Sequence, residues 1–375
     1  MKLFKGTSAV RGQAAQKYNR LLAEGLAYQP DCTVVMISEM PVDERNHPGR
    51  LIGRHREKKN KVSYVYLPLI NTHRVKDIVS VLTSFLECMR YVRKEGKSVI
   101  IADILCAPVA LGGYVAARIS RIPYVAVVTD LPEFVYGKKD RAYDTVSRIV
   151  MESASRYVFL TEQMNDRIND EGRPCAVVEG MADARSAQGT EDRVSRETAP
   201  RILLYTGNLN RKYGVGKLVE AYIKAEIPDT QLHIAGAGDM AEDIRKLAGE
   251  HENVVYCGLV DPDEAERMQK EAYLLINPRP SEAEYTRYSF PSKTIEYMAS
   301  GTPVLMTDLP GVPEEYKEYV YLIKDESTEG IAKALKDVLA GPASELEEKG
   351  EKARRFVMEN KNNRLQAEKV SVMLE

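Results

Sequence analysis

Short apolar runs alternate with segments of helical spacing along almost the whole chain, and this alternation constrains the fold most strongly. In the C-terminal half the runs are RILLY (201–205), QLHIAG (231–236), NVVYCG (253–258), YLLIN (273–277) and TPVLM (302–306). In the N-terminal half they are CTVVMI (32–37), VSYVYL (62–67), SVIIAD (98–103), PYVAVVT (123–129), YVFL (157–160) and CAVVE (175–179). Strands that alternate with helices predict parallel, doubly wound α/β sheets.

The 375 residues are enough for two domains of ordinary size. We predict a Rossmann-like domain over 1–188, a polar linker over 189–199 and a second Rossmann-like domain over 200–351. A final helix over 352–375 could cross back to the first domain. Two such domains would face each other across a cleft, and ligands of these sheets bind beyond the carboxyl ends of the strands.

The start of the first domain departs from this scheme. In a doubly wound sheet the first strand is normally central, and only MKLF precedes a glycine-bearing loop and a helix here. We therefore expect either that the strand is very short or that the natural start lies upstream.

Two classes of protein are disfavoured by the sequence. No stretch approaches the roughly 18 apolar residues that span a bilayer, and the N-terminus lacks the apolar core of a signal peptide. The five cysteines are scattered and form no CxxC pair, which favours free thiols in a reducing compartment over a metal site or disulfides. We therefore expect a cytoplasmic protein.

Charge is distributed unevenly along the chain. Residues 1–180 carry a net charge of +7 and the remainder carries −9, from counts of 27 basic and 20 acidic against 26 and 35. The basic run RLIGRHREKKNK (50–61) is either a solvated loop or an attractor for an anionic acceptor or anionic lipid headgroups on the inner face of a membrane. We expect the apolar positions of the amphipathic segment 77–89 to be core rather than membrane-binding. We expect no nucleic-acid partner.

The segment YSFPSKTIEYMASGTPVL (288–305) has the start and stop signals of a short helix. Pro291 suits the first helical position, and Gly301 suits the position just past the end. Ile295, Met298 and Ala299 form the stripe that would pack inward.

The start of this helix has the chemistry of an anion site. The backbone N–H groups of Ser292, Lys293 and Thr294 would be free at the positive end of the helix dipole, where a diphosphate fits. One turn later, Glu296 can accept two hydroxyl protons, as a ribose diol offers. The alternative is a surface helix with a Lys293–Glu296 pair worth a few tenths of a kcal/mol.

A second segment, YTGNLNRKYGVGKLVEAY (205–222), predicts a strand, a glycine loop and a helix. Gly207 lets the backbone approach a ligand closely, and Asn208, Arg211 and Lys212 can supply side-chain donors there. A glycine loop alone is weak evidence. Together with a helix-start anion site in the same domain, it favours a bound nucleotide.

These segments resemble the retaining family 4 glycosyltransferases, which have the GT-B fold. YTGNLNRKYGV is similar to their donor-diphosphate loop, which implies that Gly207, Asn208 and Tyr213 contact the donor. VVYCGLV (254–260) is similar to the strand and loop beside the nucleobase, which implies contacts from Leu259 and Val260. The helix segment is similar to the E-x7-E motif, whose second, ribose-binding glutamate falls on Glu296.

The sequence departs from this family at three charged positions. The first glutamate of the motif falls on Tyr288, the loop arginine falls on Asn208 and the loop lysine falls on Tyr213. We predict that Arg211 and Lys212 supply the lost positive charge as catalytic residues. Otherwise the chain would bind a nucleotide weakly or be a non-catalytic partner subunit.

In the first domain the resemblance is looser. The family often places a histidine after the fourth strand, and VVTDLPEF puts Asp130 there. The resemblance implies that Asp130 bonds a sugar hydroxyl or positions the acceptor; alternatively, its carboxylate caps the turn before Pro132. Arg11 and Gly12 resemble the family's cleft-facing glycine loop, and the alternative is a helix entry.

The expected reaction transfers a hexosyl-type sugar from a nucleoside diphosphate-sugar to a hydroxyl of a glycan or lipid-linked acceptor in cell-surface polysaccharide synthesis. We expect neither a cofactor nor a catalytic metal, and interpret the DPD triplet (261–263) as a helix start capped by Asp263. A different GT-B enzyme, such as a sugar-nucleotide 2-epimerase, is the other alternative.

Overall fold

The computed structural model describes residues 13–40, 42, 49–93, 97–136, 140–188 and 200–375. The chain divides into two compact units. The first contains the described residues up to Met181 together with Asn363–Glu375, and the second is Ala182–Asn362. The expected strand at MKLF, the loop residues Arg11 and Gly12, and the expected linker lie outside the described residues.

The first unit is an α/β structure in which each of the six predicted runs contains a strand. Its strands are β1 (Val35–Ser38), β2 (Leu51–Ile52), β3 (His55–Lys59), β4 (Val62–Tyr66), β5 (Leu69–Ile70), β6 (Ile100–Asp103), β7 (Tyr124–Val128), β8 (Arg156–Phe159) and β9 (Cys175–Val177). Its helices are α1 (Gln13–Leu26), α2 (His73–Val92), α3 (Ala107–Ser120), α4 (Pro132–Val135), α5 (Arg141–Glu152), α6 (Glu162–Ile168) and α14 (Asn363–Leu374). Strands β6, β7, β8 and β9 form a parallel sheet in chain order, and β1 pairs in parallel with β4.

The basic run forms strands rather than the solvated loop that was the first interpretation. It contains β2 and β3, and β3 pairs antiparallel with β4. Asn60 and Lys61 have φ of 50° and 67°, as the two-residue turn of a hairpin requires. Strand β4 is largely buried and provides a pairing partner for β3, whose own residues are mostly exposed. Attraction of an anionic partner to this strand stays a prediction.

The apolar positions of α2 are not all core, so that prediction is wrong for one face of the helix. Ile78, Leu82 and Leu86 are 64%, 56% and 62% exposed, whereas the small Ser80 and Ser84 are fully buried. Helix α3 packs closely against the serine face, because a Cβ at its Gly112 would lie 2.0 Å from Ser84 Oγ. Close packing against α3, rather than hydrophobicity, therefore determines which face of α2 is buried. None of the described helices is long and apolar enough to span a bilayer.

We expect Leu82→Ala to change the free energy of unfolding by less than about 0.5 kcal/mol, because an exposed side chain loses little on truncation. The matched control is Leu21→Ala on α1, where the side chain is 1% exposed among Val125 and Val158. That change should cost about 2–5 kcal/mol. Urea unfolding of both variants measures the difference, and equal losses would contradict the exposed face of α2.

The predicted final helix over 352–375 is two helices. Helix α13 (Ala343–Asn360) ends before Lys361, whose side chain is buried and pairs with Glu315 at 2.6 Å. The chain leaves the helical conformation at Lys361, with φ of −123° and ψ of 19°. Helix α14 then packs in the first unit, where Ala367 and Val370 join the core of α1.

The second unit is a six-stranded parallel sheet flanked by helices. Its strands are β10 (Arg201–Asn208), β11 (Thr230–Ala237), β12 (Val254–Gly258), β13 (Leu274–Asn277), β14 (Val304–Thr307) and β15 (Tyr321–Ile323). Its helices, besides α13, are α7 (Val215–Ala225), α8 (Ala241–Glu250), α9 (Pro262–Glu271), α10 (Ser292–Ser300), α11 (Glu314–Lys317) and α12 (Thr328–Leu339). The strand order is β12-β11-β10-β13-β14-β15, so the direction of winding reverses between β10 and β13.

A buried tyrosine fixes α10 on this sheet. The hydroxyl of Tyr297 donates to the Thr206 carbonyl at 3.0 Å and accepts from the Thr206 N–H at 2.9 Å. Burial raises the pKa of Tyr297 to about 12, so the hydroxyl stays protonated as a donor. The start of α10 is thereby held in register with the carboxyl end of β10.

Candidate functional site

The predicted donor residues of the second unit gather at one edge of its sheet. The strand order reverses between β10 and β13, and ligands of doubly wound sheets bind beyond the carboxyl ends of the strands at such a point. The segment 209–214 follows β10 there, and the segment 278–291 follows β13 and leads into α10.

The glycine loop after β10 is packed tightly against the segment after β13. Asn208 shapes its start by accepting the Asn210 N–H at 2.9 Å. A short 3-10 turn then runs from Arg211 to Tyr213. Gly214 follows with φ of 78°, and a Cβ added there would lie 2.2 Å from the carbonyl oxygen of Pro278. Only glycine allows this approach of the two segments.

The two basic residues of the loop have partners within the unit. The Arg211 side chain is 75% exposed and pairs with Asp243 at 3.3 Å. The Lys212 ammonium lies 5.2 Å from the ring centroid of Tyr213 and 5.6 Å from that of Tyr285. An exposed ion pair is worth about 0–1 kcal/mol, so Arg211 can exchange Asp243 for another anion at little cost. Their catalytic role stays a prediction.

The start of α10 differs from the prediction in two respects. The helix begins at Ser292, and Pro291 occupies the preceding N-cap position rather than the first helical one. The Thr294 N–H donates to the Pro291 carbonyl at 2.8 Å, so it is not free for a ligand. The N–H groups of Ser292 and Lys293 donate to no atom in the described part of the chain, and no side chain caps this end. Two backbone donors therefore remain at an exposed helix start.

Glu296 lies one turn further along and is mostly buried. Its Oε2 accepts from the Lys293 ammonium at 2.8 Å. The structure thus contains the i, i+3 pair that was the alternative to a ribose contact. A ribose diol at Glu296 would share the carboxylate with Lys293 or displace it.

The loop after β12 presents Leu259 and Val260 beyond the strand. Leu259 is largely exposed and follows Gly258, whose φ is 71°. The DPD triplet caps the start of α9, as predicted. The capping residue, however, is Asp261 and not Asp263. Asp261 Oδ1 accepts the Glu264 N–H at 2.9 Å. The acidic triplet is accounted for by the helix start.

Sequence reasoning missed Arg279, which lies two residues after β13. Its side chain is 9% exposed, and Nη2 donates to Ser289 Oγ at 3.3 Å. The guanidinium carbon lies 5.5 Å from the Tyr213 ring centroid and 4.7 Å from that of Tyr285. The available signal was a basic residue between two prolines directly after the apolar run YLLIN.

In the first unit Asp130 follows β7 and is half-buried at the carboxyl end of that strand. Leu131 occupies the N-cap of the short α4. Arg11 and Gly12 lie outside the described residues. The structure therefore places Asp130 at a strand end, as predicted, while its role stays untested.

Sequence comparison matches the second unit to a known family. Residues 188–357 match the family model described as glycosyl transferases group 1. An uncharacterized glycosyltransferase of Methanocaldococcus jannaschii is 32% identical over 124 residues. That alignment covers 32% of this chain and 30% of the relative, so the chain matches less than a third of the relative's length.

Solved structures match nearly the whole chain at low sequence identity. Sucrose-phosphate synthase from Thermosynechococcus elongatus has a TM-score of 0.69 at 19% identity, covering 95% of this chain and 91% of that protein. An E. coli structure described as trehalose-6-phosphate bound with UDP-2-fluoro glucose has a TM-score of 0.68 at 10% identity, covering 96% of both chains. Anabaena HepE in complex with UDP has a TM-score of 0.61 at 13% identity, covering 77% of this chain and 81% of HepE. The chain therefore has the GT-B fold with two Rossmann-like units, and the family match in its second unit supports a glycosyltransferase.

Proposed function

We propose that this chain is a retaining, family 4 glycosyltransferase. It would move a hexosyl-type sugar from a nucleoside diphosphate-sugar to a hydroxyl of a saccharide or lipid-linked acceptor in cell-surface polysaccharide synthesis. The observation that carries the proposal is the uncapped start of α10 at the carboxyl edge where the strand order reverses. Backbone N–H groups at a helix start bind phosphate well, and this position is where doubly wound sheets hold nucleotides.

The comparisons support the proposal from another direction. The group 1 family match spans the segments that form this edge. The structural neighbours include proteins solved with UDP, UDP-glucose and UDP-2-fluoro glucose. A nucleoside diphosphate-sugar is therefore the ligand class to test first.

Each donor residue has a proposed task. The Ser292 and Lys293 amides hold the diphosphate, Glu296 accepts from the ribose hydroxyls, and Leu259 and Val260 contact the nucleobase. Chemically, the site must stabilise the negative charge that develops on the departing β-phosphate. Fixed amide dipoles at a helix start do this without reorganisation, and Arg211 and Lys212 would add positive charge without a metal ion.

Asp130 and the basic strand β3 are the proposed contributors of the first unit. Asp130 would hydrogen-bond a sugar hydroxyl or orient the acceptor. The exposed basic residues of 50–61 would attract an anionic acceptor or anionic lipid headgroups, as in peripheral contact with a membrane.

A second candidate function is a non-catalytic, nucleotide-sugar-binding partner subunit. The observations that favour it are the neutral side chains of Asn208 and Tyr213 in the donor loop and the pairing of Arg211 with Asp243. Such a protein would bind the donor and leave it intact.

The test is a thermal-shift screen of the purified chain against UDP-, GDP-, ADP- and dTDP-sugars, with the free sugars as controls. We expect one nucleotide class to stabilise the protein by about 2.7 kcal/mol at a hundred times its dissociation constant. No stabilisation by any of them would contradict the proposal.

Product analysis of the binding ligand then separates the alternatives. Release of the nucleoside diphosphate that depends on an acceptor indicates sugar transfer. Binding without turnover indicates a partner subunit. A changed sugar configuration without any acceptor indicates an epimerase.

A further inference from the structure

Arg279 is a buried cation that has no counter-ion among the described residues. It lies at the carboxyl end of β13 and is 9% exposed. Across the described residues, no carboxylate lies within ion-pair distance of it, and its buried Nε has no hydrogen-bond partner. Its one hydrogen bond runs from Nη2 to Ser289 Oγ, at 3.3 Å. A buried charge is energetically costly unless an opposite charge compensates it. An anion bound beside Arg279 would therefore stabilise this site.

Two tyrosine rings hold the guanidinium in place without neutralising it. The guanidinium carbon lies 4.7 Å from the Tyr285 ring centroid and 5.5 Å from that of Tyr213. Lys212 lies within 5.6 Å of the same two centroids. Ring faces attract a cation through their quadrupole but carry no net charge. Two positive side chains therefore border one aromatic pair.

Further unpartnered donors lie in the same segment. Asn277, at the end of β13, has a buried Nδ2 without a partner among the described residues. Ser289, which accepts from Arg279, lies three residues before the uncapped start of α10 at Ser292. The backbone of Gly214 lies against Pro278, so the glycine loop is in contact with the residue that precedes Arg279.

The positive charge of Arg279 also acts on a side chain of β10, the hydroxyl of Tyr205. Burial raises the pKa of the Tyr205 hydroxyl, and the Arg279 charge acts in the opposite direction. That hydroxyl donates to the Asn208 carbonyl at 2.8 Å, at the last residue of β10 and directly before the glycine loop. Arg279 is therefore close to both segments that border the edge.

We propose that Arg279 binds the diphosphate of the donor through its guanidinium. The inference rests on the proposed function and names the residue that supplies the phosphate-binding charge. The site offers two cations, Arg279 and Lys212, and the free backbone amides at the start of α10. This set suits a ligand with at least two negative charges better than it suits a single carboxylate. The planar fork of arginine suits phosphate oxygens. Arg211 is the weaker candidate because it is exposed and already has Asp243 as a partner.

The experiment measures binding of inorganic pyrophosphate and of UDP by isothermal titration calorimetry. It compares the wild-type chain with Arg279→Met and with the control Arg267→Met, an arginine of α9 that is paired with Glu264 and Glu271. We expect Arg279→Met to weaken pyrophosphate binding at least roughly tenfold, since charge-assisted bonds to phosphate are among the strong ones, and Arg267→Met to leave it unchanged. The ligand-free unfolding midpoint of Arg279→Met should not fall, because methionine keeps an apolar stem between the tyrosines and removes an unpaired charge.

Equal pyrophosphate affinity of the wild type and Arg279→Met, or no binding of either probe by the wild type, would overturn the inference. If Arg279→Met lowers the ligand-free midpoint, Arg279→Lys decides the question. Lysine keeps the charge and loses the fork, so we expect pyrophosphate binding weaker by about threefold to tenfold. Unchanged affinity in the lysine variant would also overturn the inference.

The same experiments separate this inference from the proposed function. Arg279-dependent pyrophosphate binding without transfer from any nucleotide sugar would support the anion site and contradict glycosyl transfer. Full transferase activity and donor affinity in Arg279→Met would support the proposed function and overturn the role of Arg279.

Discussion

Gly214→Ala should lower the free energy of unfolding by about 3 kcal/mol or more, and with it the affinity for a nucleoside diphosphate. Gly214 has φ of 78°, a conformation that costs an L-residue about 1–2 kcal/mol. The new Cβ would also lie 2.2 Å from the Pro278 carbonyl oxygen, which belongs to the backbone and cannot move alone. Relief of this clash separates the glycine loop from the segment that carries Arg279.

The matched control for this change is Gly249→Ala. Gly249 lies in α8, and a Cβ there would meet no atom within 4 Å. Alanine should stabilise that helix by roughly 0.5–1 kcal/mol. Urea unfolding gives the stability of both variants, and calorimetry with UDP gives their affinity. A Gly214→Ala protein as stable as the wild type would show that the two segments do not need their close contact.

Glu296→Ala should weaken donor binding about tenfold or more. If the carboxylate accepts two ribose hydroxyls, each charge-assisted bond contributes about 1.5–3 kcal/mol, part of which is offset by the lost contact with Lys293. The measurement is calorimetric titration with the donor identified in the screen. Glu348→Ala is the control, because Glu348 forms a surface pair with Lys352 at the same 2.8 Å distance on α13.

The two glutamate variants should differ in binding and agree in stability. Each loses one ion pair between neighbouring turns of a helix, which is worth a few tenths of a kcal/mol. Unchanged donor affinity in Glu296→Ala would remove the ribose assignment and leave the Lys293–Glu296 pair as a contact within the helix.

The parallel strands of each unit could be predicted because buried parallel strands are nearly continuous apolar runs. Strands β3 and β15 were missed for opposite reasons. The sequence of β3, HREKK, is almost entirely charged, and it becomes a strand only by pairing with β4. Strand β15 is a short apolar strand, YLI, that follows the four-residue helix α11 instead of a long helical segment, so the alternation of strands and helices does not mark it.

The exposed face of α2 shows a limit of hydrophobic periodicity. The pattern predicts an amphipathic helix, but it does not report that α3 approaches through Gly112. The face chosen for burial is the one with Ser80 and Ser84, because small side chains permit that approach. Helix α3 is the next helix along the chain, but the hydrophobic pattern of α2 does not indicate which face α3 will contact.

The candidate donor site could be predicted from the sequence where the information is local. Ser292 and Lys293 follow from their place at a helix start. The loss of the Thr294 amide to Pro291, by contrast, depends on how tightly the first turn closes. Arg211 meets Asp243, which lies 32 residues further along the chain, and the burial of Arg279 depends on rings from two different segments. Such contacts between distant segments are invisible in a single sequence.

The return of α14 to the first unit sets an order for biosynthesis. Ala367 and Val370 complete a core that also contains Leu21 and Leu22. A ribosome makes residues 182–362 before it makes α14, so the second unit can finish folding while the first still lacks its last helix. The first unit is thus completed after the second, and until then an apolar strip on α1 is available to chaperones.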